Sequence, residues 1–219
     1  PRAGGRLLVH SVMNAPVDDE FIRLAKPARA SYCPTRTVID GYGKLPLAAR
    51  PGAAPAADDP QGAVDSLTLA RIPSTPDEAR RVLGATPPLR DSAQAQTHKV
   101  MDANLLAVKR AGIPIATGTD AGNPLTLHGP SIFAEIEAMK HAGLTATEVL
   151  LATTRDAARA MSRGDELGTL EKGRSAALLI VPGDPTKDLS VLRRAHIVMR
   201  SGVARTTDEL RAAVAKTRW

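Results

Sequence analysis

The chain has 219 residues, a formal net charge of +6 and a hydrophobic content of 43%, enough to build a sizeable core. Aromatic residues make up only 2% and there is one cysteine, so a stacking platform for single-stranded nucleic acid and a disulfide scaffold are both excluded. Basic and acidic residues are interleaved, and no apolar run reaches about 20 residues. We therefore expect neither a nucleic-acid partner nor a membrane partner.

The first 35 residues follow a strand–helix–strand order. The apolar run Leu7–Val9 predicts a short buried strand, and Asp18 or Asp19 is placed to cap a helix that Pro27 ends. Residues 30–33 predict a second strand, stopped at Pro34. This order is typical of an α/β fold.

The middle of the chain alternates between irregular and periodic segments. Glycine and proline recur through 40–75, which predicts a long irregular loop. A helix is predicted at 92–110, a strand that begins near a proline at 113–117, and two helices at 131–142 and 146–161.

The last fifty residues change to β character. Strands are predicted at 176–181 and 196–199, a hairpin turn at Ser201–Gly202, and a polar helix at 207–216.

Two polar residues lie at the C-terminal ends of predicted parallel strands. His10 comes after the first strand, and Asp120 lies in a glycine-flanked turn after 113–117. Imidazole nitrogen suits zinc, and a carboxylate in such a turn can bind metal or act as a general base. Taken singly, each residue has a structural alternative: His10 as a hydrogen-bonding residue and Asp120 as a turn residue or helix cap.

The combined pattern around these residues is more specific. It includes Thr-Gly-Thr-Asp-Ala-Gly at 117–122, Leu-His-Gly-Pro-Ser at 127–131, and Gly-Thr-Leu-Glu-Lys-Gly at 168–173. The opening His10-Ser11-Val12 and the segment Tyr32–Thr35 agree with it. The chain resembles the metal-dependent amidohydrolase superfamily, and most of all its imidazolonepropionase-like and Xaa-Pro dipeptidase-like branch.

The resemblance implies a fold and a division of the chain. The chain would hold the C-terminal part of a (β/α)8 TIM-like barrel, about strands 6–8, plus the C-terminal strands of a small β-sandwich. The partial barrel would span 1–165, the sandwich segment 166–206, and a C-terminal helix or tail 207–219.

The resemblance also implies a site. His10 and Asp120 would bind one or two divalent metal ions, most simply zinc, and Asp120 would also be catalytic. His128, in the following loop, would contact the substrate. The reaction would be hydrolysis of a carbon–nitrogen bond in a small amide, cyclic amide or dipeptide.

The sequence departs from the family in its other metal ligands. It has no His-x-His pair, and the family's lysine of strand four and histidine of strand five have no counterpart. His98 and His141 fall on predicted helices and His196 opens a strand, so we interpret all three as surface or structural residues.

Three interpretations remain open at this stage. The chain is the C-terminal fragment of an enzyme, a non-catalytic binding or assembly module, or one part of an assembly in which a separate polypeptide supplies the missing strands. A homo-oligomer is a further possible partner state. The compartment is undetermined, with the cytoplasm as the default and export as an alternative.

Four further residues lie near the end of the second predicted strand or at the start of the irregular loop. We expect Cys33 to be a small buried hydrophobic residue and Tyr32 to pack in the core. Arg36 is expected to be solvent-exposed, with pairing to a substrate carboxylate as the alternative. Tyr42 begins the irregular loop and is a candidate lid residue.

Overall fold

The computed structural model describes residues 2–50, 56, 58–83 and 91–216, and the fold is α/β. Strands β1 (Leu7–Val9) and β2 (Ser31–Cys33) are parallel, with Leu8 opposite Tyr32. Ile115 forms a parallel bridge to Tyr32 on the other side of β2. Three segments therefore run side by side in chain order, and their carboxyl ends meet at one edge.

Nine α-helices surround and follow these strands in the described residues. They are α1 (Asp19–Ala25), α2 (Arg36–Ala48), α3 (Ser66–Arg71), α4 (Thr75–Leu83), α5 (Asp91–Arg110), α6 (Ser131–His141), α7 (Ala146–Thr153), α8 (Arg155–Ala160) and α9 (Thr207–Lys216). Local caps explain two of the helix starts. Asp18 accepts a hydrogen bond from the Phe21 amide at 2.7 Å, and Thr145 forms a reciprocal capping box with Glu148.

The main core lies between the parallel strands and helices α5, α6 and α7. Its fully buried members include Tyr32, Leu105, Val108, Met139 and Val149. Aliphatic side chains supply most of this core, as the low aromatic content predicts. The expectation that Tyr32 packs in the core is confirmed.

A three-stranded antiparallel sheet follows in the C-terminal part of the chain. Its order is β3 (Leu178–Ile180), β4 (Ile197–Arg200) and β5 (Val203–Thr206), preceded at β4 by a 3₁₀ helix over Leu189–Arg194. The turn between β4 and β5 falls at Ser201–Gly202, and both residues have positive φ. The hairpin turn predicted there is confirmed, as is the helix predicted at 207–216.

The prediction of an irregular loop over 40–75 is wrong for much of that segment. Helix α2 continues to Ala48, α3 covers 66–71, and a 3₁₀ turn covers 72–74. Gly41 is used for close packing: a Cβ there would lie 2.2 Å from the Pro124 carbonyl oxygen. Pro46 lies in the last turn of α2, where its ring nitrogen cannot donate the helical hydrogen bond that another residue would make. Residues 51–55 and 57 lie outside the described part of the chain.

The helix predicted at 146–161 is divided in two. Thr154, between α7 and α8, has φ −116° and ψ −86°. The hydroxyls of Thr153 and Thr154 each donate to the carbonyl four residues earlier, at 2.7 Å in both cases. Such bonds compete with the helix backbone and bend it at this point. No helix in the described ranges has the length and apolar character that a membrane span requires.

Candidate active site

The structure brings His10 and Asp120 together at the carboxyl edge of the parallel strands. His10 directly follows β1 and donates its backbone N–H to the Cys33 carbonyl at 2.9 Å. Its Nε2 lies 3.7 Å from Oδ2 of Asp120. The two side chains are 52% and 41% exposed, so a small molecule can reach both.

Three residues of this site have left-handed backbone conformations. The φ angles are 74° at His10, 44° at Thr35 and 51° at Asp120. Non-glycine residues adopt this region rarely, and for a β-branched residue such as Thr35 it is strained. Strain of this kind persists where the surrounding contacts hold the chain, and here it directs three polar side chains towards one another.

The imidazole of His10 is oriented by a hydroxyl from the next strand end. Nδ1 of His10 lies 2.7 Å from Oγ1 of Thr35, which leaves Nε2 facing Asp120. The loop after His10 is held by Asn104 of α5, whose side-chain amide donates to the carbonyls of Val12 and Ala15 at 2.9 Å each.

The carboxylate of Asp120 is held by its own turn. Asn123 donates from Nδ2 to Oδ2 of Asp120 and to its backbone carbonyl, at 2.9 Å in both cases. Tyr42 donates its hydroxyl to Oδ1 of Asn123 at 3.1 Å. Tyr42 lies on α2 and not in an irregular loop. Its hydrogen bond to Asn123 therefore connects that helix to the Asp120 turn.

Sequence reasoning missed the part played by Glu135. This residue of α6 has no exposed surface, and its Oε2 accepts from the Thr37 amide at 2.8 Å and lies 3.1 Å from the Thr37 hydroxyl. Burial raises the pKa of the Glu135 carboxyl above its ordinary value. Glu135 shares the buried face of α6 with Ile136 and Met139, and a carboxylate in such an apolar stripe is the signal that marks it in the sequence.

The Cys33 side chain lies beneath the Asp120 turn. It is buried, as expected. A Cβ added at Gly118 would lie 2.6 Å from Sγ of Cys33, so the thiol occupies the space that a side chain at position 118 would need. Burial raises the pKa of the Cys33 thiol to about 11, with Glu135 contributing in the same direction. The thiol is therefore protonated at neutral pH and acts as a packing group.

His128 lies beside the Asp120 turn and is exposed. A methyl group added at Gly122 would be 3.6 Å from Nε2 of His128. His98, on α5, pairs with Asp40 of α2, with Nε2 3.0 Å from Oδ1.

The expectation that Arg36 is solvent-exposed is wrong. Its side chain is buried, and Nη2 lies 2.5 Å from Oδ1 of Asp102 on α5. Arg36 is the first residue of α2, a helix that packs against α6, and its side chain reaches Asp102 of α5.

The donor set of the site fits part of a metal centre. Within the described residues, no three His, Cys, Asp or Glu side chains converge as a metal cluster. The pair His10 and Asp120 nevertheless has a suitable spacing. Two ligands of one tetrahedral zinc, with bonds of about 2.0–2.2 Å, lie roughly 3.3–3.6 Å apart. The observed 3.7 Å is close to that separation.

Comparison with known proteins identifies the family. Residues 71–205, more than half of the chain, match the Amidohydrolase family. The chain belongs to this family. The match includes Asp120 and His128, whereas His10 lies before it.

Curated relatives match shorter segments of the chain. An imidazolonepropionase of Stenotrophomonas maltophilia is 35% identical over 115 residues, which is 52% of this chain and 28% of the relative. An imidazolonepropionase of Caulobacter sp. is 37% identical over 97 residues, or 44% of this chain and 22% of the relative. An uncharacterised protein of Mycobacterium bovis is 36% identical over 96 residues, or 44% of this chain and 24% of the relative. The chain thus spans about a quarter of the length of these relatives.

Solved structures share the fold over nearly the whole chain. A Xaa-Pro dipeptidase with bound methionine aligns with a TM-score of 0.60 and 20% identity, over 94% of this chain and 41% of that one. A bottromycin amidohydrolase aligns with a TM-score of 0.60 and 21% identity, over 95% and 49% respectively. At these identities the likeness concerns the fold alone.

Proposed function

We propose that this chain is the C-terminal part of a metal-dependent hydrolase that cleaves carbon–nitrogen bonds in small amides, cyclic amides or dipeptides. The observation that carries the proposal is the separation of 3.7 Å between His10 Nε2 and Asp120 Oδ2 at the carboxyl edge of parallel strands. Family membership supports the reaction class, and the partial coverage of the relatives supports a longer parent protein. The three parallel segments then correspond to strands 6–8 of a (β/α)8 barrel, and β3–β5 to part of a small β-sandwich.

In this proposal His10 and Asp120 hold a divalent metal, with zinc favoured by the nitrogen and oxygen donors. When bound, such a metal polarises the substrate carbonyl and lowers the pKa of water. The Asp120 carboxylate accepts a proton from the attacking water and returns it to the leaving nitrogen as the carbon–nitrogen bond breaks. Asn123 keeps that carboxylate oriented, and exposed His128 is placed to contact the substrate from the adjoining loop.

The test uses the full-length product of the native gene. Asp120→Asn keeps the shape of the side chain and removes its basicity, so we expect kcat/KM to fall by at least about 100-fold on the best of a set of dipeptide and cyclic amide substrates. Asp208→Asn, at an exposed position on α9, is the matched control and is expected to retain full activity. Full activity in Asp120→Asn would refute the catalytic assignment.

A second function is favoured by one observation: the described residues supply two metal donors rather than three. Under this alternative the 219-residue chain is a non-catalytic binding or assembly module. It then unfolds cooperatively, binds no stoichiometric metal and has no hydrolase activity. The intact mass of the native gene product, measured together with its metal content, separates the two functions. A mass well above 23.0 kDa with bound metal supports the hydrolase, and a mass of 23.0 kDa without metal supports the module.

A further inference from the structure

A short buried segment, Thr35–Thr37, lies between the two candidate metal ligands and contacts the surroundings of both. The hydroxyl of Thr35 is 2.7 Å from Nδ1 of His10. The hydroxyl of Thr37 is 3.3 Å from the carbonyl oxygen of Thr119, the residue directly before Asp120. All three residues of the segment are buried, and the two bonds run from this buried segment to the edge of the exposed site.

The segment is itself anchored on two helices. Arg36 pairs with Asp102 of α5 at 2.5 Å. Oε2 of Glu135 on α6 accepts from the Thr37 amide at 2.8 Å and lies 3.1 Å from its hydroxyl. These anchors leave the segment little freedom to move relative to the core, which explains how Thr35 keeps a left-handed φ of 44°.

We propose that Thr35 and Thr37 are positioning residues that set the placement of His10 and Asp120 relative to each other. In this arrangement the Thr35 hydroxyl accepts from Nδ1–H of His10, which leaves the lone pair of Nε2 available to a metal that would be shared with Asp120. The Thr37 hydroxyl has one hydrogen, which it shares between Oε2 of Glu135 at 3.1 Å and the Thr119 carbonyl at 3.3 Å, and it thereby links the start of the Asp120 turn to α6. The proposal rests on the proposed function, because it treats His10 and Asp120 as partners in one metal site.

A metal-free measurement tests the first half on the 219-residue chain. Nitrogen-15 NMR of the imidazole, at a pH where the ring is neutral, reports which nitrogen carries the proton. We expect the Nδ1–H tautomer in the parent chain and in Thr35→Ser, which keeps the hydroxyl. Thr35→Val removes the hydroxyl at nearly constant shape and is expected to shift His10 towards the Nε2–H tautomer. An unchanged tautomer in Thr35→Val would overturn the role of Thr35.

A second metal-free readout tests the Thr37 half. The carbonyl carbon-13 shift of Thr119 reports its hydrogen bond, so we expect it to move in Thr37→Val and to stay near the parent value in Thr37→Ser. A cooperative urea transition in each variant confirms that the chain is folded. A Thr119 shift that is the same in Thr37→Val as in the parent chain would overturn the role of Thr37.

A Co²⁺ titration followed by amide NMR links positioning to metal binding. We expect Co²⁺ to perturb the amides of His10 and Asp120, and each valine variant to weaken that binding by roughly 10-fold or more, as loss of a supporting hydrogen bond does at metal sites. The serine variants should stay within about 3-fold. Equal affinity in the valine and serine variants refutes positioning. Absence of Co²⁺ binding at His10 and Asp120 in the parent chain instead refutes the metal site, and the two metal-free readouts still decide the positioning roles.

Discussion

Two glycines on α2 allow a matched test of how this helix packs. Gly41 and Gly43 are two residues apart in the same helix, so alanine has the same helix propensity advantage at both, about 0.8–1.0 kcal/mol. Their surroundings differ. A Cβ at Gly41 would lie 2.2 Å from the Pro124 carbonyl oxygen and 2.9 Å from Oγ1 of Thr126. The three atoms nearest to a Cβ at Gly43 all belong to the far end of the Gln94 side chain, which can rotate away.

The expected energies follow from these contacts. In Gly41→Ala a backbone carbonyl must move by about 1 Å, and overpacking of this kind costs about 1–3 kcal/mol. After the propensity gain, we expect a net loss of up to about 2 kcal/mol in the free energy of unfolding. Gly43→Ala should be neutral or more stable by up to about 1 kcal/mol. Because the propensity gain is common to both variants, they should differ by about 1–3 kcal/mol, the cost of overpacking.

Equilibrium urea unfolding followed by circular dichroism measures this difference, because a change in midpoint at constant slope is a change in stability. The variants serve as each other's control, since both add one methyl group to the same helix. If Gly41→Ala were as stable as Gly43→Ala, α2 would not pack against the Pro124 carbonyl and the close-packing explanation for Gly41 would fail.

Two further predictions concern titrating groups near the candidate site. Burial raises the pKa of the Glu135 carboxyl in the folded chain above its ordinary value of about 4.3. The contribution of Glu135 protonation to the free energy of unfolding is therefore fully present below the ordinary pKa and is lost as pH rises through the raised value. Glu135→Gln should remove that decline in urea unfolding between pH 4 and 9, and an unchanged decline would contradict this origin. The Cys33 thiol, with its pKa raised to about 11, should react slowly with a disulfide reagent at pH 8 in the folded chain and rapidly in urea. Rapid labelling of the folded chain would show that the end of β2 is open to solvent.

The sequence was informative where structure depends on neighbouring residues. The starts of α1 and α7 follow from caps within four residues, at Asp18 and Thr145, and the polar helix 207–216 has its predicted bounds. Asp120 was predicted as a site residue from its glycine-flanked turn, and His10 from the strand that precedes it. Both could be recognised because a side chain directly after a parallel strand lies at the carboxyl edge whatever the rest of the fold does.

Only the tertiary structure decided how distant residues are used. Gly41 predicted a loop because glycine is a poor helix former. In the structure it lies within α2, where the Pro124 carbonyl, 83 positions later in the chain, leaves no room for a side chain. Arg36 was expected at the surface and is buried against Asp102. The coupling of Thr37 to Glu135 joins residues 98 positions apart. Such contacts leave no local pattern, because their energy depends on packing between helices that the sequence places far apart.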